Sequence, residues 1–478
     1  MKNSDIKTSR VFEIFEEICK IPHGSRNMKE ISGFCVEFAK ANDLRYIKDE
    51  ALNVIIYKDG TGELKNAKPV ILQGHIDMVC QKADGSDIDF EKDAITTYID
   101  GDYIKAKDTT LGADNGIAVA MIMAILENKS LIHPPIEAVF TTDEEIGMIG
   151  AGKLDMSLLK SDRMINLDAE DDEELTVSCA GGCDVKFIAP FKREIKSGTK
   201  AVIKIRNLKG GHSGVEINKG RVNANILMSR ILSNIALNTD FNIISLDGGT
   251  KGNVITTSST AQILVNDYDK FYDLTDKYVK IVTEEISDRE DCVITIEKGE
   301  LGSFEVLNGD DTKKIVHILL ATPNGVVEMS KTIDGLVETS LNLGIVETKK
   351  DEIAFLYALR SNKETALEFL KDKLLSISNY LNIKYEASGQ YNPWEYKEDS
   401  KLRKRYMEVC SEIPDKKVRI VAVHAGLECA VFSAKIKNLD CIAIGPSMSG
   451  VHTVEEKLCI SSTKKMYEIL CRLLGKLK

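Results

Sequence analysis

The histidines and carboxylates of this sequence that could do chemistry lie in five short segments. His75 lies in ILQGHIDMV, and His452 lies in GPSMSGVHT. Three acidic segments stand between them: LGADNG with Asp114, TTDEEIG with Glu144 and Glu145, and INLDAED with Asp168. Imidazole and carboxylate groups are the ligands of metal ions that activate water, and pairs of such ions hydrolyse their substrates. The segments therefore predict a two-zinc hydrolytic centre.

Apolar runs precede three of these segments and predict the strands that position them. The runs are 70–72, 136–140 and 164–167. His75, the pair Glu144 and Glu145, and Asp168 each follow one of these runs. Strands that alternate with helices indicate an α/β fold with a mostly parallel sheet covered on both faces. Because ligands of such sheets gather beyond the carboxyl ends of the strands, one edge could collect all four side chains.

A helix is predicted between the first two of these strands. Residues 115–127 have apolar side chains at helical spacing, with Ile117, Met121 and Ile125 on one stripe. Asp114 stands directly before them, at the position of an N-cap. We expect Asp114 to cap the helix, to bind metal, or to do both.

The character of the sequence changes near residue 185 and again near residue 393. Residues 186–392 have the strands and amphipathic helices of an α+β domain. The junction that follows holds the only tryptophan, Trp394. After it, CIAIGPSMSGVHT repeats the pattern of a strand followed by a ligand residue. The simplest organisation is one α/β domain, residues 1–185 and 393–478, interrupted by an inserted domain.

Composition excludes several classes of partner. The net charge of −11 provides no basic field for nucleic acid. No apolar run reaches the ~18 residues of a membrane span, and the N-terminal segment has no apolar stretch of a signal peptide. The eleven cysteines include no CxxC pair, which favours reduced thiols in the cytoplasm over a disulfide framework. We expect a cytoplasmic protein without nucleic-acid or membrane partners.

Nine motifs in order resemble the M20 family of co-catalytic zinc peptidases, and most closely its aminoacyl-histidine dipeptidase branch, the Xaa-His or carnosinase-like dipeptidases. The resemblance covers essentially the whole chain, and the motifs are GHIDMV, LGADNGIAVA, TTDEEIGMIGA, NLDAED, KGGHSG, KGNVI, LRS, HAGLECA and GPSMSGVHT. The resemblance implies a zinc-peptidase catalytic domain in residues 1–185 and 393–478, and an inserted α+β lid domain in residues 186–392.

The resemblance also implies a ligand set for two Zn²⁺ ions. His75 and Asp168 resemble the ligands of one ion, and Glu145 and His452 those of the other. Asp114 is similar to the carboxylate that bridges both. Mn²⁺ or Co²⁺ suits the same ligands.

Three further residues resemble the family's catalytic groups. Glu144 is similar to the general base that takes a proton from the metal-activated water and delivers it to the leaving amine. Asp77 resembles the carboxylate that accepts the second imidazole N–H of His75. His212, in KGGHSG, resembles a donor to the oxyanion.

The substrate would be held by residues of three other motifs. Arg360 resembles the arginine that grips the substrate's carboxylate with two prongs. Asn253 resembles a polar contact to the substrate, and Gly426 a backbone contact near the same carboxylate. His424 and Glu428, in the motif of Gly426, are expected to support these residues. Ala430 stands where this branch often has Gly, which leaves details of the pocket open.

The function implied is hydrolysis of Xaa-His and other dipeptides, including β-Ala-His, by a monomer or homodimer. A tripeptidase or an aminoacylase of the same chemistry is one alternative, and a non-catalytic metal- or peptide-binding protein is another. Each site residue also has a plainer interpretation. His75 could be a core histidine, Glu144 and Glu145 a solvated turn, and His212 an incidental loop residue.

Overall fold

The computed structural model describes residues 10–478, and the first nine residues of the N-terminal segment discussed above lie outside the described part. The chain divides into two compact units. Unit 1 comprises the described residues through Cys179, with Tyr396–Ala422 and Leu427–Lys478. Unit 2 comprises Ala180–Glu395 and Val423–Gly426.

The described residues form both helices and strands. The α-helices are α1 (Arg10–Cys19), α2 (Lys29–Ala41), α3 (Ala113–Glu127), α4 (Ile149–Lys153), α5 (Ala224–Asn238), α6 (Tyr268–Ile286), α7 (Gly309–Ala321), α8 (Glu364–Tyr380), α9 (Lys401–Ser411), α10 (Glu428–Lys435) and α11 (Ile460–Leu474). The strands are β1 (Arg45–Lys48), β2 (Val54–Lys58), β3 (Val70–His75), β4 (Thr97–Asp100), β5 (Tyr103–Ala106), β6 (Ile136–Thr141), β7 (Arg163–Asn166), β8 (Glu174–Cys179), β9 (Gly181–Pro190), β10 (Arg193–Arg206), β11 (Phe241–Gly248), β12 (Ser259–Val265), β13 (Val293–Leu307), β14 (Gly325–Met329), β15 (Val337–Thr348), β16 (Glu352–Ser361), β17 (Lys384–Tyr391), β18 (Arg419–Val423), β19 (Asp440–Ala443), β20 (Met448–Ser449) and β21 (Lys457–Cys459).

Unit 1 is built on an eight-stranded sheet with the order β1-β2-β6-β3-β7-β19-β8-β18. The four central strands β6, β3, β7 and β19 run parallel, whereas β1, β2 and β8 pair antiparallel. Every residue of β3 and β6 is buried. Parallel strands covered on both faces need such continuous buried runs. The predicted α/β class is confirmed, and the parallel pairing is confined to the centre of the sheet.

Helix α3 is buried on all sides, not along the single stripe that its spacing predicts. Its residues from Asn115 to Leu126 are all buried. Helix α1 packs on it at Gly116, where an added Cβ would lie 3.3 Å from the ring of Phe15 and 3.4 Å from Ile18. The sequence of α3 is apolar around its whole circumference, so no polar face remains for solvent.

The N-terminus of α3 also differs from its prediction. The N-cap position belongs to Gly112, which has a φ of 71°, and the helix begins at Ala113. Asp114 has non-helical backbone angles and does not cap the helix. The expectation that Asp114 is the N-cap was therefore wrong, and its carboxylate is free for other contacts.

Unit 2 contains a nine-stranded sheet with the order β13-β10-β12-β11-β15-β16-β9-β17, and β14 pairs with β15. Its strand pairings are antiparallel. Buried and partly exposed residues alternate along β10, so one face of the sheet is covered. Helices α5, α6, α7 and α8 supply Leu227, Phe271, Ile315 and Leu370 to the core that covers it.

The structure moves the boundaries that the sequence predicts at 185/186 and 392/393. Residues 180–185 belong to unit 2, because β9 runs unbroken across the expected boundary. Residues 393–395 and 423–426 belong to unit 2 as well. The assignment of catalysis and lid to the two parts stays a prediction. Across residues 10–478, we find no helix with the length and apolar character needed to cross a membrane.

Candidate active site

The parallel centre of the unit 1 sheet brings the predicted residues to one edge. His75 is the last residue of β3 and pairs with Thr141, the last residue of β6. The pair Glu144 and Glu145 follows β6, and Asp168 follows β7. Since β3 lies between β6 and β7, the carboxyl ends of the three strands are neighbours.

Asp114 lies at the centre of the imidazole and carboxylate groups. Its Oδ1 is 3.2 Å from Nε2 of His75, and its Oδ2 is 3.1 Å from Nε2 of His452. Nε2 of His75 is also 3.5 Å from Oδ1 of Asp168, and Nε2 of His452 is 3.0 Å from Oε2 of Glu145. The five predicted ligands therefore form two sets that share Asp114.

The side chains of these residues fit a metal centre. In each set, one ligand atom from every member lies within 4.8 Å of the others, and a third such group joins His75 with Glu144 and Glu145. Oε1 of Glu145 is buried and has no hydrogen-bond partner among the described residues. Nitrogen and oxygen donors of this kind suit Zn²⁺, and a buried carboxylate oxygen without a partner is costly unless it binds a cation.

The charges of the site perturb one another strongly. Burial would lower the pKa of His75, but Asp168 and Asp114 raise it well above its ordinary value. Hydrogen bonds to Asp114 and Glu145 raise the pKa of His452 to about 11. Burial raises the pKa of Asp168 to about 6, although the charge of His75 opposes this.

Asp77 contacts Nδ1 of His75 more closely through its main chain than through its carboxylate. Nδ1 of His75 hydrogen-bonds to the main-chain carbonyl of Asp77 at 3.0 Å, whereas the Asp77 carboxylate is 3.6 Å away. The carboxylate instead accepts the N–H groups of Glu144 at 3.0 Å and Glu145 at 3.4 Å, and the hydroxyl of Ser25 at 2.9 Å. The Asp77 carboxylate therefore holds the loop of Glu144 and Glu145. The Asp77 carbonyl is the hydrogen-bond partner of the His75 imidazole.

Glu144 is partly buried beside the ligand sets. Burial raises its pKa well above its ordinary value, and the charges of Asp168 and Glu428 act in the same direction. A carboxyl group with a raised pKa can both accept and return a proton near neutral pH.

A buried polar layer next to the predicted ligands contains Glu428, which the sequence singled out, together with Gln73, Thr141 and Asn166, which it did not. Nδ2 of Asn166 donates to Oε1 of Gln73 at 2.6 Å, and the Thr141 hydroxyl donates to Oε2 of Glu428 at 2.6 Å. Nε2 of Gln73 donates to both Thr141 and Glu428. Burial raises the pKa of Glu428 to about 7. The sequence signal for this layer is the polar Gln73 within the apolar run of β3.

In unit 2, His212 presents a neutral imidazole. Its Nδ1 accepts the backbone N–H groups of Gly214 and Val215, each at 3.2 Å. The ring proton therefore resides on Nε2, which is left as a donor. Burial lowers the pKa of His212, and the charge of Arg360 lowers it further.

Arg360 belongs to β16, and its side chain and that of His212 both lie next to Gly214. An added Cβ on Gly214 would lie 2.9 Å from Cε1 of His212 and 3.2 Å from Nε of Arg360. Nη1 of Arg360 donates to the hydroxyl of Tyr391 at 3.0 Å. Nε of Arg360 is buried and has no hydrogen-bond partner in the described chain. The guanidinium thus keeps a donor available for an anion.

The other two predicted substrate residues show fewer contacts. The carbonyl of Asn253 accepts the N–H of Ser213 at 2.9 Å, which joins the motif of Asn253 to that of His212, and the Asn253 side chain is exposed. Gly426 lies in the short segment Val423–Gly426 of unit 2. The imidazole of His424 in this segment is 2.7 Å from the Ser340 hydroxyl. The predicted metal ligands accordingly belong to unit 1 and the predicted substrate residues to unit 2.

An α/β fold whose strand ends gather imidazole and carboxylate groups is typical of metal-dependent hydrolases. Residues 71–476 match the peptidase family M20/M25/M40, and the chain belongs to this family of metal-dependent enzymes.

Two relatives resemble the chain over nearly its whole length. It is 34% identical over 475 residues to the cytosol non-specific dipeptidase of Escherichia coli (strain K12), with 98% of each chain covered. The crystal structure of aminoacylhistidine dipeptidase from Vibrio alginolyticus matches with a TM-score of 0.92 at 34% identity, covering 100% of this chain and 98% of that chain. Aminopeptidase PepT from Bacillus cereus shares the fold, with a TM-score of 0.58 at 14% identity and 98% of each chain covered.

Proposed function

We propose that this protein is a metallo-dipeptidase that hydrolyses Xaa-His and other dipeptides, including β-Ala-His. The observation that supports it most is the pair of imidazole and carboxylate sets that share Asp114. The two long relatives are named a non-specific dipeptidase and an aminoacylhistidine dipeptidase, at the same 34% identity. A substrate range that includes Xaa-His without being restricted to it agrees with both names.

The metal would be held by five side chains. His75 and Asp168 would bind one Zn²⁺, Glu145 and His452 the other, and Asp114 both. Mn²⁺ or Co²⁺ suits the same donors. Bound ions of this kind lower the pKa of a coordinated water and polarise a peptide carbonyl. The unpartnered oxygen of Glu145 supports the assignment.

Glu144 would act as the general base. It lies next to Glu145 and within reach of His75, and it is the carboxylate of the pair that the two ligand sets leave unused. Its raised pKa suits a group that takes a proton from water and returns it to the leaving amine. Asp77 would hold the Glu144 backbone in place through the N–H contact described above.

The substrate would be bound by groups of unit 2. The Nε2–H of His212 would donate to the developing oxyanion, because the neutral imidazole has its proton on that nitrogen. Arg360 would bind the substrate's carboxylate, using the buried Nε that has no protein partner among residues 10–478. Asn253 and Gly426 would add a polar and a backbone contact.

The cytoplasm is the proposed location. None of the eleven cysteines, all of which lie within residues 10–478, forms a disulfide. Free thiols are typical of a reducing compartment. The name of the Escherichia coli relative also places that protein in the cytosol. A monomer or a homodimer is expected.

The first experiment is hydrolysis of a panel: β-Ala-His, several Xaa-His dipeptides, Leu-Leu, a tripeptide and an N-acetyl amino acid. Each substrate is tested with the purified protein, after chelation, and after addition of Zn²⁺ or Mn²⁺. We expect chelation to abolish dipeptide cleavage and metal to restore it. Cleavage of the tripeptide or the acetylated compound alone would identify a tripeptidase or an aminoacylase. Metal binding without any cleavage would identify a binding protein.

A further inference from the structure

A single buried carboxylate binds the backbone that leads into the shared ligand Asp114. Glu456 is only 3% exposed. Its Oε2 accepts the N–H groups of Leu111 at 2.7 Å and Gly112 at 3.1 Å. Its Oε1 accepts those of Ala113 at 2.9 Å and Asp114 at 3.3 Å. Four consecutive amides thus converge on one side chain.

The Glu456 carboxylate accepts the N–H groups at the start of α3 that an N-cap side chain would otherwise accept. The first N–H groups of a helix have no partner within the helix, and Gly112 offers no side chain to accept them. A negative charge at this end is also favoured by the helix dipole. The path of residues 111–114, including the left-handed Gly112, therefore depends on Glu456.

The same side chain belongs to the turn that presents His452. The N–H of Glu456 donates to the carbonyl of Thr453 at 3.2 Å, and the N–H of Thr453 donates to that of Gly450 at 3.1 Å. His452 adopts a φ of 65° within this turn. The turn fixes Glu456 relative to His452, and Glu456 fixes Asp114. Nε2 of His452 then meets Oδ2 of Asp114 at 3.1 Å.

We propose that Glu456 is a positioning residue that sets the distance between Asp114 and His452, and with it the affinity of the metal centre. The inference rests on the proposed metal site but requires no particular substrate. A role confined to capping α3 would lower stability alone. A positioning role also weakens metal binding, because both residues bind the same ion in the proposed ligand set.

Glu137 provides a matched control. It is a buried glutamate of unit 1 and accepts the N–H groups of Lys160 at 2.9 Å and Ser161 at 3.1 Å. It lies near the start of β6, whereas the ligands follow the ends of the strands. Glu137→Gln and Glu456→Gln make the same chemical change, since each amide turns an NH₂ group toward backbone donors. Glu455→Gln changes the exposed neighbour of Glu456.

The experiment is a titration of each metal-free variant with Co²⁺, followed by its visible absorption, with melting of the metal-free proteins measured in parallel. We expect Glu456→Gln to raise the dissociation constant for Co²⁺ about 10- to 100-fold, the range typical of residues that support metal ligands. Glu137→Gln should lower the melting temperature yet leave the constant within about twofold of wild type, because distant sites act independently. Glu455→Gln should change neither.

The outcomes separate this inference from the proposed function. If Glu456→Gln binds Co²⁺ as tightly as wild type, Glu456 is a cap and nothing more. If wild type binds no Co²⁺, the metal site and this inference both fail. If wild type binds Co²⁺ but cleaves no peptide, only the proposed activity fails. Should Glu456→Gln not fold, Glu456→Asp keeps both acceptor oxygens on a shorter side chain. Wild-type affinity in that variant would overturn the inference.

Discussion

The imidazole of His75 hydrogen-bonds to the main chain of Asp77, with Nδ1 3.0 Å from the carbonyl oxygen. The Asp77 carboxylate accepts the N–H groups of Glu144 and Glu145. A carbonyl acceptor fixes the tautomer of a ligating histidine as a carboxylate would. The negative charge of Asp77 is therefore available to order the loop that holds the proposed base and one ligand.

The first prediction concerns this division of roles. Asp77→Asn should lower kcat about 10- to 100-fold, because one amide NH₂ would face the backbone donors of Glu144 or Glu145. The ion held by His75 and Asp168 should remain bound, since the contact to the Asp77 carbonyl survives. Metal content and kcat are measured on the same sample, with Asp162→Asn as a control near the start of β7. If the variant lost metal in proportion to its activity, the main role of the Asp77 carboxylate would be to support His75 as a metal ligand.

Glu144 is expected to be needed for turnover but not for metal. Glu144→Gln should lower kcat by about 10²- to 10⁴-fold, the usual contribution of general acid–base catalysis. Both ions should stay bound, because the two ligand sets do not include Glu144. Metal analysis of the purified variant checks this. A variant that lost an ion would show that the roles of base and ligand are misassigned.

Arg360 should discriminate between a free and a blocked carboxylate. Arg360→Lys keeps the charge but loses the planar fork, and should lower kcat/KM at least about tenfold on a dipeptide. The same dipeptide with an amidated C-terminus should be cleaved at a similar rate by both proteins. Tyr391→Phe, which removes the hydroxyl that accepts from Nη1, is expected to have a smaller effect. Equal losses on both substrates would remove the assigned role.

The stability of unit 2 should depend on pH through His424. Burial lowers the pKa of His424 to about 3, and Arg360 and His212 act in the same direction. The unfolded histidine has a pKa of about 6.5, so the unfolded chain binds more protons between these values. Stability present above pH ~6.5 is therefore lost as pH falls, by at most ~1.4 kcal/mol per pH unit. Trp394 is the only tryptophan and lies in unit 2, so its fluorescence follows this unfolding.

The variant His424→Gln isolates the contribution of this imidazole. We expect urea midpoints of wild type to fall more steeply than those of the variant between pH 6.5 and 4.5, because the glutamine does not titrate. The contacts of His424 agree with a neutral ring, since Nδ1 lies 3.1 Å from Oδ1 of Asn362, which can only accept, and Nε2 can accept from Ser340. Parallel curves for the two proteins would contradict the prediction.

The sequence predicted the sheet edge well and the supporting residues poorly. His75 and Asp168 end apolar runs, and a parallel sheet must place such residues together. The cap that the sequence allowed at Asp114 beside its predicted metal role is absent, because the sequence shows only local position, whereas the N–H donors of this helix end bind Glu456 from a distant segment. Glu455 and Glu456 are adjacent and identical in type, so only the fold shows which of them is buried.

The sequence predicts that the inserted domain begins at residue 186, whereas unit 2 begins at Ala180 and β9 at Gly181. The change in sequence pattern extends over many residues, so it does not locate a boundary to the residue. Strand β9 continues through residue 185 without a turn. The assignment of ligands to particular ions came from the family resemblance, since spacing alone gives only a collection of metal-binding side chains.

Because unit 2 includes the segment Val423–Gly426, it is not a single continuous insertion. The chain enters this unit twice, once for Ala180–Glu395 and again for four residues that contribute the imidazole facing Ser340 and Asn362. If residues 180–395 were replaced with the corresponding part of a relative, the native segment Val423–Gly426 would have to pack against residues of another protein. Successful chimaeras of this protein therefore require two exchanges made together, and the same constraint ties the two stretches to a common evolutionary history.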